Sequence, residues 1–191
     1  GTDQHLVSLD LFDGTKKWEK QHDLRPYSNC LYTTVEDGVL VLTGSKGGYK
    51  VEAFNTDNGT RIWNQDFGWA KDHHGGKVQH PVVFGGKVFA EERVFDLKSG
   101  EALQIPIPTR RGCGTMSASA NNLFFRDHNH GMYDPMTQER HDWAALRGGC
   151  WLNMIPAGGL LLTPEASSGC SCNNPIQTTA AFRPVSTLRD K

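Results

Sequence analysis

The chain has 191 residues, 37% of them hydrophobic, with 21 glycines and 9 prolines, which is enough apolar material for a core in a turn-rich fold. Its formal net charge is −1, with acidic and basic residues interspersed, so it offers no basic field for nucleic acid and no polybasic or apolar segment for a membrane. Both are excluded as expected partners, and no membrane span is expected.

The first element is residues 6–20, LVSLDLFDGTKKWEK. Alternating apolar residues flank Asp13-Gly14, and Trp18 lies on the return strand, the pattern of a β-hairpin. His5 and His22 flank it. A stretch containing Tyr27, Cys30 and Tyr32 leads through Asp37-Gly38 into the strand VLVL. Residues 50–65, KVEAFNTDNGTRIWNQ, then repeat the first hairpin role for role 45 residues later, with Asn55 for Asp10, Asn58-Gly59 for Asp13-Gly14 and Trp63 for Trp18. Asn58-Gly59 is expected to form a two-residue turn with both residues at positive φ.

Residues 69–81, WAKDHHGGKVQHP, place His73, His74 and His80 beside Asp72 on a glycine-containing loop. Imidazole is a frequent metal ligand, so these three are candidate ligands of a metal or members of a binding loop, against the alternative of a solvated polar loop. After Gly85-Gly86 and KVFA, a third copy at residues 93–104 keeps Phe95-Asp96 and Ser99-Gly100 but has Gln104 where a Trp is due. Asn121-Asn122 is the next turn before LFFRD. His128 and His130 follow, on one side of a strand if it continues that far, and join the candidate binding residues. A fourth copy keeps Tyr133-Asp134 and has Gln138 in place of the turn glycine. Gly158-Gly159 precedes LLLT, and AAFRP is the last strand.

The two turn series interleave at 14, 38, 59, 86, 100, 122, 138 and 159. Each repeat of about 40 residues is thus an inner hairpin followed by an outer hairpin, the four-stranded meander of a propeller blade. The expected fold is all-β, one domain over residues 1–191: an incomplete β-propeller of four to five blades, holding a half blade, three whole blades and most of a fifth. Trp18 and Trp63 are expected to dock one blade on the next. The chain opens on Gly1 rather than Met, and is expected to be a fragment whose open edges are completed by further blades of a longer polypeptide or by further copies of itself.

The repeat "apolar-apolar-x-apolar-Asp-x-x-(Asp/Asn/Ser)-Gly-x-x-x-Trp" resembles that of the PQQ-like β-propellers, the family that includes quinoprotein dehydrogenases and the bacterial outer-membrane assembly lipoprotein. The C-terminal third, from RGCGTMSASANNLFFRD to SGCSCNNPIQTTAAFRP, is similar to a segment of secreted bacterial PQQ-like repeat proteins of unknown role. The resemblance implies the fold and an extracytoplasmic (periplasmic, cell-surface or secreted) location. It leaves the activity open, because one architecture hosts enzymes and scaffolds.

In a secreted chain, the set Cys113, Cys150, Cys170 and Cys172 reads as two disulfides, the close Cys170 and Cys172 each reaching to Cys113 or Cys150. A four-thiolate metal or iron–sulfur site and free thiols are the rival readings, with the C-x-C spacing unlike the usual two-residue gap. Cys30, apart from the rest, reads as a small buried residue. Quinoprotein alcohol dehydrogenases carry two adjacent cysteines beside the quinone. The C-S-C here, with no acidic calcium cluster near it, implies that PQQ is not bound, while a metal ion stays open. Glu165, near the cysteine loop, reads as an exposed carboxylate that could serve as acid or base. The expected function is an extracytoplasmic binding or scaffolding module for a protein or carbohydrate partner, and the alternative is part of a quinoprotein-type or metal-dependent oxidoreductase.

Overall fold

The computed structural model describes residues 4–27, 31–46, 48–68, 80–90, 93–144, 146, 148–165, 176 and 178–185. Among them, seventeen strands form five antiparallel sheets in chain order, with no α-helix. The first sheet pairs β1 (His5–Leu9) with β2 (Lys16–Gln21). The second holds β3 (Leu31–Glu36), β4 (Val39–Ser45), β5 (Tyr49–Asn55) and β6 (Arg61–Phe67). The third runs β7 (Val82–Phe84), β8 (Lys87–Ala90), β9 (Arg93–Asp96) and β10 (Ala102–Leu103). The fourth runs β11 (Ser117–Ala118), β12 (Leu123–Asp127), β13 (Asn129–Tyr133) and β14 (Arg140–Trp143). The fifth has β15 (Ile155–Ala157), β16 (Leu160–Thr163) and β17 (Ala180–Phe182).

In every sheet each strand pairs with its sequence neighbour, and the first strands β3, β7, β11 and β15 pack side by side. This is the meander of radially stacked propeller blades, here an incomplete propeller with, among the described residues, half a blade, three whole blades and three strands of a fifth.

The core lies between sheets, because alternate residues of a strand face opposite neighbours. Val51 and Ala53 of β5 pack with Val88, Phe95 and Leu97 of the third sheet, while Phe54 turns the other way, towards Leu6 and Leu24. Phe89 and Val94 meet Leu123, Phe125 and Tyr133 across the next interface, and Phe124 meets Met154 and Leu161 across the last.

The outer turns share one hydrogen-bond pattern. The carbonyls of Asp10, Asn55, Asp96 and Asp134 accept from the amides of Gly14, Gly59, Gly100 and Gln138, and the four side chains each cap an amide two residues on. Only the last loop residue has positive φ, namely Gly14 (72°), Gly59 (71°), Gly100 (71°) and Gln138 (62°). The expectation of a two-residue turn at Asn58-Gly59 is therefore corrected: the loop is four residues long, and the Asn58 carboxamide accepts from the Thr60 amide instead. Genuine two-residue turns occur at Asp37-Gly38, Gly85-Gly86 and Gly158-Gly159, all at positive φ. In the fourth sheet the register Ala118↔Leu123 puts that turn at residues 120–121, one residue earlier than the Asn121-Asn122 expected from sequence.

Trp18 and Trp63 explain the glycines. The Trp18 indole donates to the Thr56 carbonyl at 2.7 Å, and its ring covers Gly59, where a Cβ would lie 2.6 Å away. Trp63 donates to the Leu97 carbonyl at 2.9 Å, and its ring covers Gly100, where a Cβ would lie 2.5 Å away. The tryptophan of one repeat thus sits on the turn of the next. The third repeat has Gln104 at the Trp position, and the fourth turn carries a side chain at Gln138.

Candidate functional site

The starts of the four first strands converge on a cleft of about 400 Å³ lined by Tyr32, His80, Gly114, Thr115, Trp151 and Asn153. Tyr32, His80, Thr115 and Asn153 occupy one equivalent position in four successive blades, six residues before the second turn residue at 38, 86, 121 and 159. Tyr32 lies on β3, and His80, Thr115 and Asn153 each stand two residues before the first strand of their blade, so the repeat delivers one side chain per blade to this rim.

Neighbouring blades are tied together there in pairs. The rings of Tyr32 and His80 meet edge to face with centroids 4.8 Å apart. Asn153 accepts from the Thr115 amide at 3.1 Å and donates to the Thr115 hydroxyl at 2.6 Å. His80 Nδ1 lies 2.7 Å from the Pro81 carbonyl, which can only accept, so Nδ1 carries a proton, and in the neutral ring the lone pair is on Nε2. Trp151 is 52% exposed at φ 63°, a strained conformation for a bulky residue. Gly114, at φ 98°, packs 3.7 Å from the Trp151 backbone at the position where a Cβ would point.

Among the described residues lining the cleft there is no Asp, Glu, Lys or Arg. Arg110 stands behind it, buried, and donates to the Gly114 carbonyl at 2.9 Å. A tricarboxylated quinone such as PQQ would need cations here, and the described lining does not fit it.

A second polar cluster lies in the interface of the first two sheets. Glu52 is fully buried on β5 and accepts from the Tyr27 hydroxyl and from Arg61 at 2.9 Å, with His22 Nε2 at 2.9 Å and Lys50 at 3.9 Å. Burial pushes the Glu52 carboxyl up, but hydrogen bonds from Tyr27 and Arg61 and the charges of Lys50 and His22 outweigh it, so the carboxyl sits below its ordinary value. Burial and the adjoining carboxylate push the Tyr27 phenol far up. This cluster joins blades around the fully buried Glu52 carboxylate.

Of the candidates named from sequence, His80 is at the cleft. His128 is exposed in the β12–β13 turn at φ 58°, so the strand does not carry it onto the side of His130. His130 is buried, stacked on Trp143 with centroids 5.4 Å apart, and burial lowers its basicity, against a backbone hydrogen bond with Leu146. Among the described residues no group of three or more His, Cys, Asp or Glu could hold a metal. Cys113 and Cys150 are half-buried and not bonded to one another, and Cys150 Sγ accepts from Arg126 at 3.4 Å. Glu165 is half-buried, its amide donating to the Thr179 hydroxyl at 3.2 Å. Cys30, Cys170, Cys172, His73 and His74 lie outside the described residues. Sequence reasoning missed Tyr32, Thr115, Trp151 and Asn153; the available signal was the constant offset from the inner turns.

No family model and no curated protein matches the chain. Solved structures do. BamB from Moraxella catarrhalis is 14% identical with a TM-score of 0.57, over 94% of this chain and 55% of that one. The computationally designed Ika8 protein is 11% identical with a TM-score of 0.60, over 92% of this chain and 51% of that one. The designed Ika4 protein is likewise 11% identical at 0.60, over 89% of this chain and 98% of that one. The chain therefore spans about half the length of BamB and Ika8, and at these identities what it shares with them is the β-propeller fold. Among the described residues no helix is long and apolar enough to cross a membrane.

Proposed function

We propose that this chain is a binding or scaffolding module working outside the cytoplasm, and that it holds a protein or carbohydrate partner at the rim cleft. The carrying observation is the convergence there of Tyr32, His80, Thr115 and Asn153 from one repeat position in four blades, with a half-exposed tryptophan beside them. Side chains of this kind, displayed by a rigid sheet array, suit recognition, and no nucleophile–base pair stands among the described lining residues to suit catalysis.

The end sheets add a second requirement. Val7 and Leu9 are 47% and 58% exposed on the first sheet, and Ile155 and Leu160 are 49% and 40% exposed on the last. Such faces are covered by further blades of one polypeptide or by further copies of the chain. Light scattering on the purified 191-residue chain checks this, an oligomer being expected and a cooperatively folding monomer of 21.2 kDa contradicting it.

The rim reading is tested by passing envelope and secreted material of the source organism over the immobilised chain. A discrete bound species is expected, lost when Trp151 and His80 are both changed to Ala and retained when the exposed Met136 is changed to Ala. Retention that ignores the rim pair would refute it.

A further inference from the structure

We propose that the rim cleft takes a neutral sugar ring of an oligosaccharide, stacked on the indole of Trp151. This rests on the rim-binding reading and names its ligand class. Three properties of the cleft converge on it.

Charge comes first. The six described lining residues carry no formal charge when His80 is neutral, so a phosphate, carboxylate or ammonium group would find no oppositely charged partner among them. A neutral polar ligand meets no such penalty.

The second property is hydrogen-bonding capacity. Thr115 Oγ1 accepts from Asn153 Nδ2, which leaves the hydroxyl proton and the second carboxamide proton to donate outward. His80 Nε2 is left to accept, since Nδ1 serves the Pro81 carbonyl. Donors and acceptors thus alternate across one small surface, and a sugar hydroxyl, which is both donor and acceptor, answers either kind.

Shape is the third. The cleft's volume of about 400 Å³ falls at the lower end of the range for ligand sites. Trp151 is 52% exposed, and its backbone is held at φ 63°, a conformation unfavourable for a residue with a side chain. Trp63, by contrast, is buried in the core; Trp151 is half-exposed and lines the cleft with Thr115 and Asn153. The electron-rich face of indole attracts the weakly positive C–H groups on the flat side of a pyranose, while the ring's equatorial hydroxyls point towards the polar rim.

The test is a calorimetric titration of the intact 191-residue chain with neutral hexasaccharides of glucose (β-1,4 and α-1,4), xylose, mannose and N-acetylglucosamine, alongside polygalacturonate as the charged counterpart. At least one neutral hexasaccharide is expected to bind with Kd below about 1 mM. Trp151→Ala should weaken that binding at least about tenfold, while Trp151→Phe, which keeps a ring face, stays within about threefold of wild type. Because Trp151 is half-exposed, Trp151→Ala should still unfold cooperatively with its midpoint lowered only modestly, so that lost binding is not lost fold. The proposal is overturned if no neutral hexasaccharide binds at about 10 mM, if Trp151→Ala binds like wild type, or if polygalacturonate binds as tightly as the neutral sugars. A partner still captured in a rim-dependent way when no sugar binds would overturn the sugar assignment alone; loss of both would remove the rim reading as well.

Discussion

The tryptophan-on-glycine contact between successive repeats can be tested as a coupled pair. Trp63 is 8% exposed, packed among Val51, Val88 and Phe95, and its indole donates to Leu97, so Trp63→Ala should cost about 3–5 kcal/mol. Gly100→Ala carries two penalties. Its φ of 71° costs a residue with a Cβ about 1–2 kcal/mol, and that Cβ would lie 2.5 Å from the Trp63 ring, displacing it for a further cost of about 1–3 kcal/mol. The second penalty needs the indole. In a Trp63→Ala background it vanishes, so the double variant should be more stable than the sum of the single effects by about 2 kcal/mol. Urea unfolding followed by near-ultraviolet circular dichroism on the four proteins measures this directly. Effects that add to within about 0.5 kcal/mol would refute the idea that the ring is what demands the glycine.

Three further outcomes follow from particular residues. Gln138→Gly, at a positive-φ turn with no tryptophan opposite it in the preceding repeat, should stabilise the protein by about 0.5–1 kcal/mol, measured by the same unfolding assay. Glu52→Gln should cost about 3 kcal/mol at pH 7, because it strands Tyr27 and Arg61 around a weakened acceptor. The Glu52 carboxyl is depressed in the folded state, so its contribution is present above its ordinary value of 4.5 and is lost as pH falls below it; stability–pH profiles should show that acid limb flattened in Glu52→Gln. Non-reducing peptide mapping should find Cys113 and Cys150 each joined to one of Cys170 and Cys172, and recovery of all four as thiols would remove the disulfide proposal.

The fold was legible because blade architecture writes itself into turn residues. Asp or Asn followed by a glycine four residues later marks each of the first three outer turns, and with the interleaved inner turns that periodicity gives the strand order and the count of sheets. Finer geometry was not legible. The same Asn-Gly dipeptide suits a two-residue turn or the last half of a four-residue one, and the choice at Asn58-Gly59 is made by the Asn55 carbonyl and side chain capping the loop. The cleft was hidden for another reason. Tyr32, His80, Thr115 and Asn153 share a position but not a chemistry, so no motif unites them until four strands lie side by side. The histidines drew attention by density, and the fold separates them: His130 is spent in a stacked core with Trp143 and Phe182, and His128 is turned to solvent.

The central functional claim is that a partner is held at this rim, and site-directed photocrosslinking addresses it most directly. A benzophenone amino acid replaces Leu152, which is 47% exposed beside Trp151, and separately Met136, which is 72% exposed on an outer turn. With envelope and secreted material of the source organism, position 152 should give a discrete crosslinked species that disappears on Trp151→Ala, while position 136 gives none. Equal crosslinking at both positions, or a position 152 product indifferent to Trp151, would contradict the account.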